Sequence, residues 1–198
     1  AAPGMKRLLY VDCCIRGSQS RTRRLAEAFL GALPPTWKTE ILNLPEEGLP
    51  YFSGPYFQQR QDLLAAGNRE HPRFRYAWQF ARADAIVLAA PLWDLSFPAL
   101  LKVYIEQVSV EGITFGCGEA GCYGICHASR MVFLTTRGNA YEGSHLEMGS
   151  RYLAAMAEFF GISRYDCVAA DGLDAAGAVP ERILQAACRR AAELARQF

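Results

Sequence analysis

Short apolar runs alternate with segments of helical period along most of the chain. Lys6 to Cys13 is apolar from Leu8 to Val11 and reads as a buried strand. From Arg21 the period changes. Leu25, Ala28, Phe29 and Ala32 fall on one helical stripe, which Pro34-Pro35 ends. Trp37 to Leu44 is a weaker second strand. Ala85 to Ala90 is apolar throughout and stopped by Pro91, the pattern of a strand covered on both faces. Phe97, Leu100, Leu101, Tyr104, Ile105 and Val108 then repeat at helical spacing, with Pro98 in the first turn. Arg130 to Thr136 reads as a fourth strand, residues 144 to 160 as a helix ended near Gly161, and Tyr165 to Ala170 as a fifth strand. Pro180 to Arg196 closes the chain as a helix with Ile183, Leu184, Ala187, Cys188, Ala191 and Leu194 inward.

Strand and helix in alternation predict an α/β fold of three layers, a parallel sheet with helices on both faces. Five strands without a sixth favour the flavodoxin-like order 2-1-3-4-5 over the six-stranded dinucleotide fold. Ligands of such sheets sit beyond the carboxyl ends of the strands, where strands 1 and 3 diverge. The loops after Cys13, Ala90 and Thr136 are therefore the candidate site.

Composition narrows the function. With 51% hydrophobic and 21% charged residues among 198, the chain is neither disordered, collagenous nor coiled coil. Residues 5–198 suit a single domain, and Ala1 to Gly4, ahead of Met5, are expected to be a cloning remnant. A formal charge of +1 gives no field to draw nucleic acid or an acidic membrane surface. No apolar run nears the roughly 18 residues of a membrane span. Leu8 to Val11 is too short for a signal peptide, since Asp12 ends it. Seven cysteines, odd in number and irregularly spaced, point to a reducing compartment and a cytoplasmic protein.

The first loop reads Asp12-Cys13-Cys14-Ile15-Arg16-Gly17-Ser18-Gln19-Ser20-Arg21-Thr22. Ser18, Ser20 and Thr22 put hydroxyls around a helix start whose free N–H groups favour an anion, and Gly17 permits a tight approach. That chemistry fits a phosphate monoester. Plain N-capping by the same residues is the alternative. Neither the P-loop nor the dinucleotide glycine motif occurs. A low-molecular-weight phosphatase would need C-x5-R-[ST], but Ser20 and Gln19 stand where Cys14 and Cys13 would require the arginine.

Further along, Ala89-Ala90-Pro91-Leu92-Trp93-Asp94-Leu95-Ser96-Phe97-Pro98 leads into Leu101-Lys102-Val103-Tyr104-Ile105-Glu106-Gln107-Val108 and Gly112-Ile113-Thr114-Phe115. With Ser18-Gln19-Ser20 and Thr135-Thr136-Arg137-Gly138, this resembles the FMN-dependent NAD(P)H azoreductase and quinone reductase family over most of residues 6 to 161. The resemblance implies FMN as cofactor, with NAD(P)H as co-substrate and a flat aromatic acceptor such as a quinone, azo or nitroaromatic compound. It also implies a homodimer.

By position, Cys14, Ser18, Gln19 and Ser20 would meet the flavin phosphate. Pro91, Leu92, Trp93, Asp94 and Leu95 would meet the ring, and Thr136, Arg137, Gly138 and Asn139 its far edge. No side chain is assigned as nucleophile or metal ligand, since hydride chemistry belongs to the flavin. Three positions depart from the pattern: Cys14 replaces a serine, Asp94 an asparagine and Asn139 a glycine. They bear on the flavin's potential and the substrate. A non-catalytic flavin carrier or sensor is the rival function, the phosphatase a more distant one.

Cys117, Cys122, Cys126 and His127 resemble a ligand cluster, but their spacing matches neither common zinc nor ferredoxin patterns. Small side chains in a glycine-rich loop are the plainer expectation, and the resemblance lays this stretch over the active site. Arg16, Arg21, Arg23 and Arg24 are either a solvated helix face or an aid to a phosphate. The 45–83 crossover is long and rich in aromatics. His71, His127 and His145 have no catalytic spacing.

Overall fold

The computed structural model describes residues 4–198; of the expected leader only Gly4 falls within them. Five strands form a parallel sheet: β1 (Lys6–Asp12), β2 (Trp37–Asn43), β3 (Ala85–Ala89), β6 (Arg130–Thr136) and β7 (Arg164–Ala170). Their spatial order is β2-β1-β3-β6-β7, the expected 2-1-3-4-5 once the two hairpin strands are set aside. Those two, β4 (Phe115–Gly118) and β5 (Gly121–Gly124), pair antiparallel outside the sheet.

Alternation along the central strands explains why both faces are covered. Leu8 and Tyr10 of β1, with Ala85, Val87 and Ala89 of β3, face one side, under α1 (Arg21–Gly31) and α7 (Pro180–Arg196). Leu9 and Val11, with Ile86 and Leu88, face the other. That side is covered by α4 (Arg75–Arg82), α5 (Ala99–Val108) and α6 (Gly149–Phe159). Phe80, Tyr104, Phe133 and Phe160 fill the second core, all but excluded from solvent. Among the described residues no helix is long and apolar enough to cross a membrane.

The structure departs from expectation in two places and fills in a third. The long 45–83 crossover holds α2 (Leu44–Glu47), α3 (Gly54–Ala65) and α4. The helix expected over 144–160 begins only at Gly149, because the Glu147 carboxylate accepts the N–H groups of Gly149 and Ser150 at 2.8 and 2.9 Å and so caps α6 there. The cysteine-rich stretch is a hairpin in which Cys117 and Cys122, directly opposed, form a disulfide rather than separate small side chains.

Within the chain that hairpin does not lie over the carboxyl ends of the strands. Cys126 donates to the Phe160 carbonyl and His127 to that of Ala81, which places it at the amino ends of β3 and β7.

Candidate functional site

Three loops meet beyond the carboxyl ends of β1, β3 and β6. Backbone bonds fix them to one another: Cys13 donates to Ala89 (2.8 Å), Ala90 to Leu134 (3.1 Å) and Leu92 to Thr136 (2.9 Å). A hydroxyl pair, Thr22 and Thr136 at 2.7 Å, joins the start of α1 to the end of β6. Thr22 is fully buried in this latch and so is not among the hydroxyls open to a ligand.

The first loop turns at Gly17, whose φ of +58° suits glycine, and continues through a short 3₁₀ turn, Gly17–Gln19. Ser20 caps α1, its Oγ accepting the Arg23 N–H at 3.1 Å. Capping uses an oxygen lone pair and leaves the hydroxyl hydrogen to donate, so the capping and phosphate roles are compatible. Ser18 and Gln19 are exposed at the loop's outer side. The first-turn N–H groups of α1 complete a cradle of neutral donors.

Asp12 lies beneath this cradle, 5% exposed. One of its oxygens accepts the Cys14 N–H at 2.8 Å and the other pairs with the Arg23 guanidinium at 3.0 Å. An unpaired carboxylate here would repel a phosphate; Arg23 cancels it. The sequence had shown Asp12 only as the end of an apolar run. Of the four clustered arginines, Arg21 and Arg24 pair with Asp174 and Glu181 at the surface, and Arg16 has no carboxylate partner among the described residues.

Cys14 is buried, and desolvation, then the Asp12 charge, push its thiol up to about 12. It is therefore a neutral thiol at neutral pH, not a phosphatase nucleophile.

The second loop follows β3. Trp93 and Ser96 exchange both backbone bonds (3.1 and 2.9 Å), and the two residues between them, Asp94 and Leu95, have φ of 51° and 70°. For leucine this backbone costs roughly 1–2 kcal/mol. The turn is held by Leu92 on β6's end and by Met148, which donates to the Leu95 carbonyl at 2.8 Å. The N–H groups of Asp94 and Leu95 donate to no acceptor among the described residues. Trp93 and Asp94 are exposed, while Pro91, Leu92 and Leu95 are half-buried.

In the third loop Thr136 is buried and Asn139 exposed; the carbonyls of Gly138 and Asn139 accept from Asp174 and Gly172. Arg137 departs from the role the resemblance gives it. Its side chain, 4% exposed, is held by Glu142 at 3.0 Å, Asp171 at 3.4 Å and Glu147 at 3.9 Å. With its charge answered by three carboxylates on the β7 side, only its backbone remains for the crevice. Glu142 and Glu147 follow Arg137 in the same loop at no periodic spacing and Asp171 comes from just after β7, so no pattern announced the cage. The histidines take structural roles: His71 accepts the Arg73 N–H and His127 pairs with Asp84.

An orphan-amide turn and a hydroxyl-bearing helix start, both at the switch point of a 2-1-3-4-5 sheet, define a flavodoxin-like fold with a candidate ligand crevice. Comparison with known proteins agrees. Residues 6–195 match the model of the family described as flavodoxin-like fold, and the chain belongs to that family.

It is 34% identical over 198 residues to an FMN-dependent NADH:quinone oxidoreductase of Clostridium perfringens, covering 98% of this chain and 100% of that one. It is 35% identical over 201 residues to a second such protein, from Clostridium acetobutylicum, with the same coverage. A crystal structure of an azoreductase from Bacillus anthracis superposes with a TM-score of 0.87 at 29% identity, covering 98% and 100% of the two chains.

Proposed function

We propose that this protein is an FMN-dependent NAD(P)H oxidoreductase that reduces flat two-electron acceptors, quinones or azo compounds. The observation that carries the proposal is the pairing of two donor sets across one crevice, the α1 cradle and the unpaired amides of Asp94 and Leu95. One set suits a phosphate monoester, the other the nitrogen and oxygen acceptors of a flavin ring. The two clostridial relatives are named as FMN-dependent NADH:quinone oxidoreductases.

FMN bound there would supply hydride uptake and two-electron delivery. The chain's own groups do the rest. Ser18, Gln19, Ser20 and the first turn of α1 hold the phosphate. Asp94 and Leu95 donate main-chain hydrogen bonds, Trp93 walls the ring, and the backbone of 136–139 borders its far edge. No side chain acts as nucleophile.

A homodimer and a cytoplasmic setting belong to the same proposal. Around the crevice Trp93, Leu146 and Met148 are 43%, 40% and 46% exposed, beside an apolar hollow of about 250 Å3 lined by Phe97, Met148 and Tyr152. A second copy would cover such a patch.

Purified protein is expected to take up FMN with a flavin absorption spectrum and to oxidise NADH or NADPH when a quinone is added. Failure to bind FMN would end the proposal, and bound FMN without nicotinamide turnover would favour an electron carrier instead. Trp93→Ala is expected to weaken FMN or raise the acceptor KM several-fold, since aromatic stacking contributes roughly 0.5–1.5 kcal/mol beyond burial. Titration and steady-state kinetics read both, and unchanged values would remove Trp93 from the site.

A further inference from the structure

A cleft of about 950 Å3 lies beyond the crevice, on the open side of β7 between α6 and α7. That size falls within the range of small-ligand sites. The two share a wall, since the loop from Thr136 to Asn139 borders the crevice while Arg137 lines the cleft. We propose that the cleft receives the ADP half of NAD(P)H while the nicotinamide reaches the crevice. This rests on the reductase function proposed above.

Charge placement supports an anionic guest. The cleft holds three acids and three arginines, but they are not equivalent. Glu142, Glu147 and Asp171 surround the buried Arg137. Asp171 also accepts the N–H groups of Tyr141 and Glu142, and Glu147 those of Gly149 and Ser150. Their three charges outnumber that of Arg137, but all three are gathered around it, and Asp171 and Glu147 are further held by backbone N–H groups.

Arg151 of α6 and Arg190 of α7 stand on opposite walls with no carboxylate within 4.0 Å among the described residues. Their side-chain acceptors are the carbonyls of His145 and Ala169, among others that carry no net charge. Two guanidinium groups bonded only to uncharged acceptors, on the two helices that wall one cleft, suit a diphosphate. The Arg137 Nε is closed off from solvent and has no acceptor among the described residues. His145 is the remaining titratable group on the lining besides Tyr141 and Cys167.

Truncating the coenzyme tests this. Flavin-loaded protein carrying Arg151→Gln and Arg190→Gln should show an NADH KM raised at least about tenfold. Its KM for reduced nicotinamide mononucleotide, which lacks the ADP half, should stay within about twofold, with FMN retention unaltered. ADP-ribose should compete with NADH, and more weakly in the double variant.

Equal changes for both nucleotides, or no change for NADH, would overturn the assignment. Should the native protein oxidise neither nucleotide, the reductase function fails by that result alone. Calorimetry of ADP-ribose then still decides the cleft: binding lost in the double variant supports it, and no binding overturns it.

Discussion

Arg23→Ala is expected to lower FMN affinity ten- to hundredfold, about 1.5–3 kcal/mol, and to destabilise the fold by a similar amount. The effect comes from what the substitution leaves behind. Asp12 keeps its place under the first loop through the Cys14 N–H, but its charge loses the guanidinium 3.0 Å away. A dianionic phosphate then approaches an uncompensated carboxylate in surroundings where water screens poorly. Adding Asp12→Asn to Arg23→Ala should restore much of the affinity, because the amide oxygen still accepts from Cys14 without the charge. Fluorescence titration with FMN and thermal unfolding measure the two effects. A double variant as weak as the single one would show that Arg23 acts on the phosphate directly and not through Asp12.

Gly124→Ala is expected to be the more damaging for stability, at about 3 kcal/mol or more. A Cβ at Gly124 would lie 1.9 Å from the Gly161 nitrogen and from the Phe160 carbonyl carbon. Both are backbone atoms, so no side chain can swing aside. The hairpin must lift from the end of α6, breaking the Cys126-to-Phe160 bond and opening the Phe115–Phe159 ring contact at 4.9 Å. Gly118→Ala, on the same hairpin with nothing within 4 Å of its added carbon, should be nearly neutral. Urea denaturation of the pair separates a local clash from a general intolerance of the hairpin.

Periodic burial made the sheet and its main helices legible. β3 is apolar at every position because both faces are covered, and α5 shows its stripe because one side rests on the sheet. α3 carries no buried residue, so burial imposed no pattern on its sequence. The hairpin is built largely of glycine, cysteine and tyrosine, with little strand periodicity to detect. Over 144–148 the apolar residues Leu146 and Met148 mimic a helical stripe although both are exposed.

The candidate site divides the same way. Its loops were readable because each follows a recognisable strand end and carries hydroxyls or an aromatic. The ion pairs of Arg137 and Asp12 were not, since Glu142 and Glu147 follow Arg137 at no periodic spacing and Asp171 and Arg23 come into range only on folding. The Cys117–Cys122 bond was likewise invisible until the hairpin register set the two residues opposite each other.

The Trp93–Ser96 turn places its two central residues in the mirror half of backbone space. What it offers a ligand is main-chain hydrogen, and that offer is indifferent to the side chain attached. An aspartate at position 94 can therefore stand where the resemblance would place an asparagine without dismantling the donor pair. Chemistry at that corner is free to drift in charge while its geometry stays put.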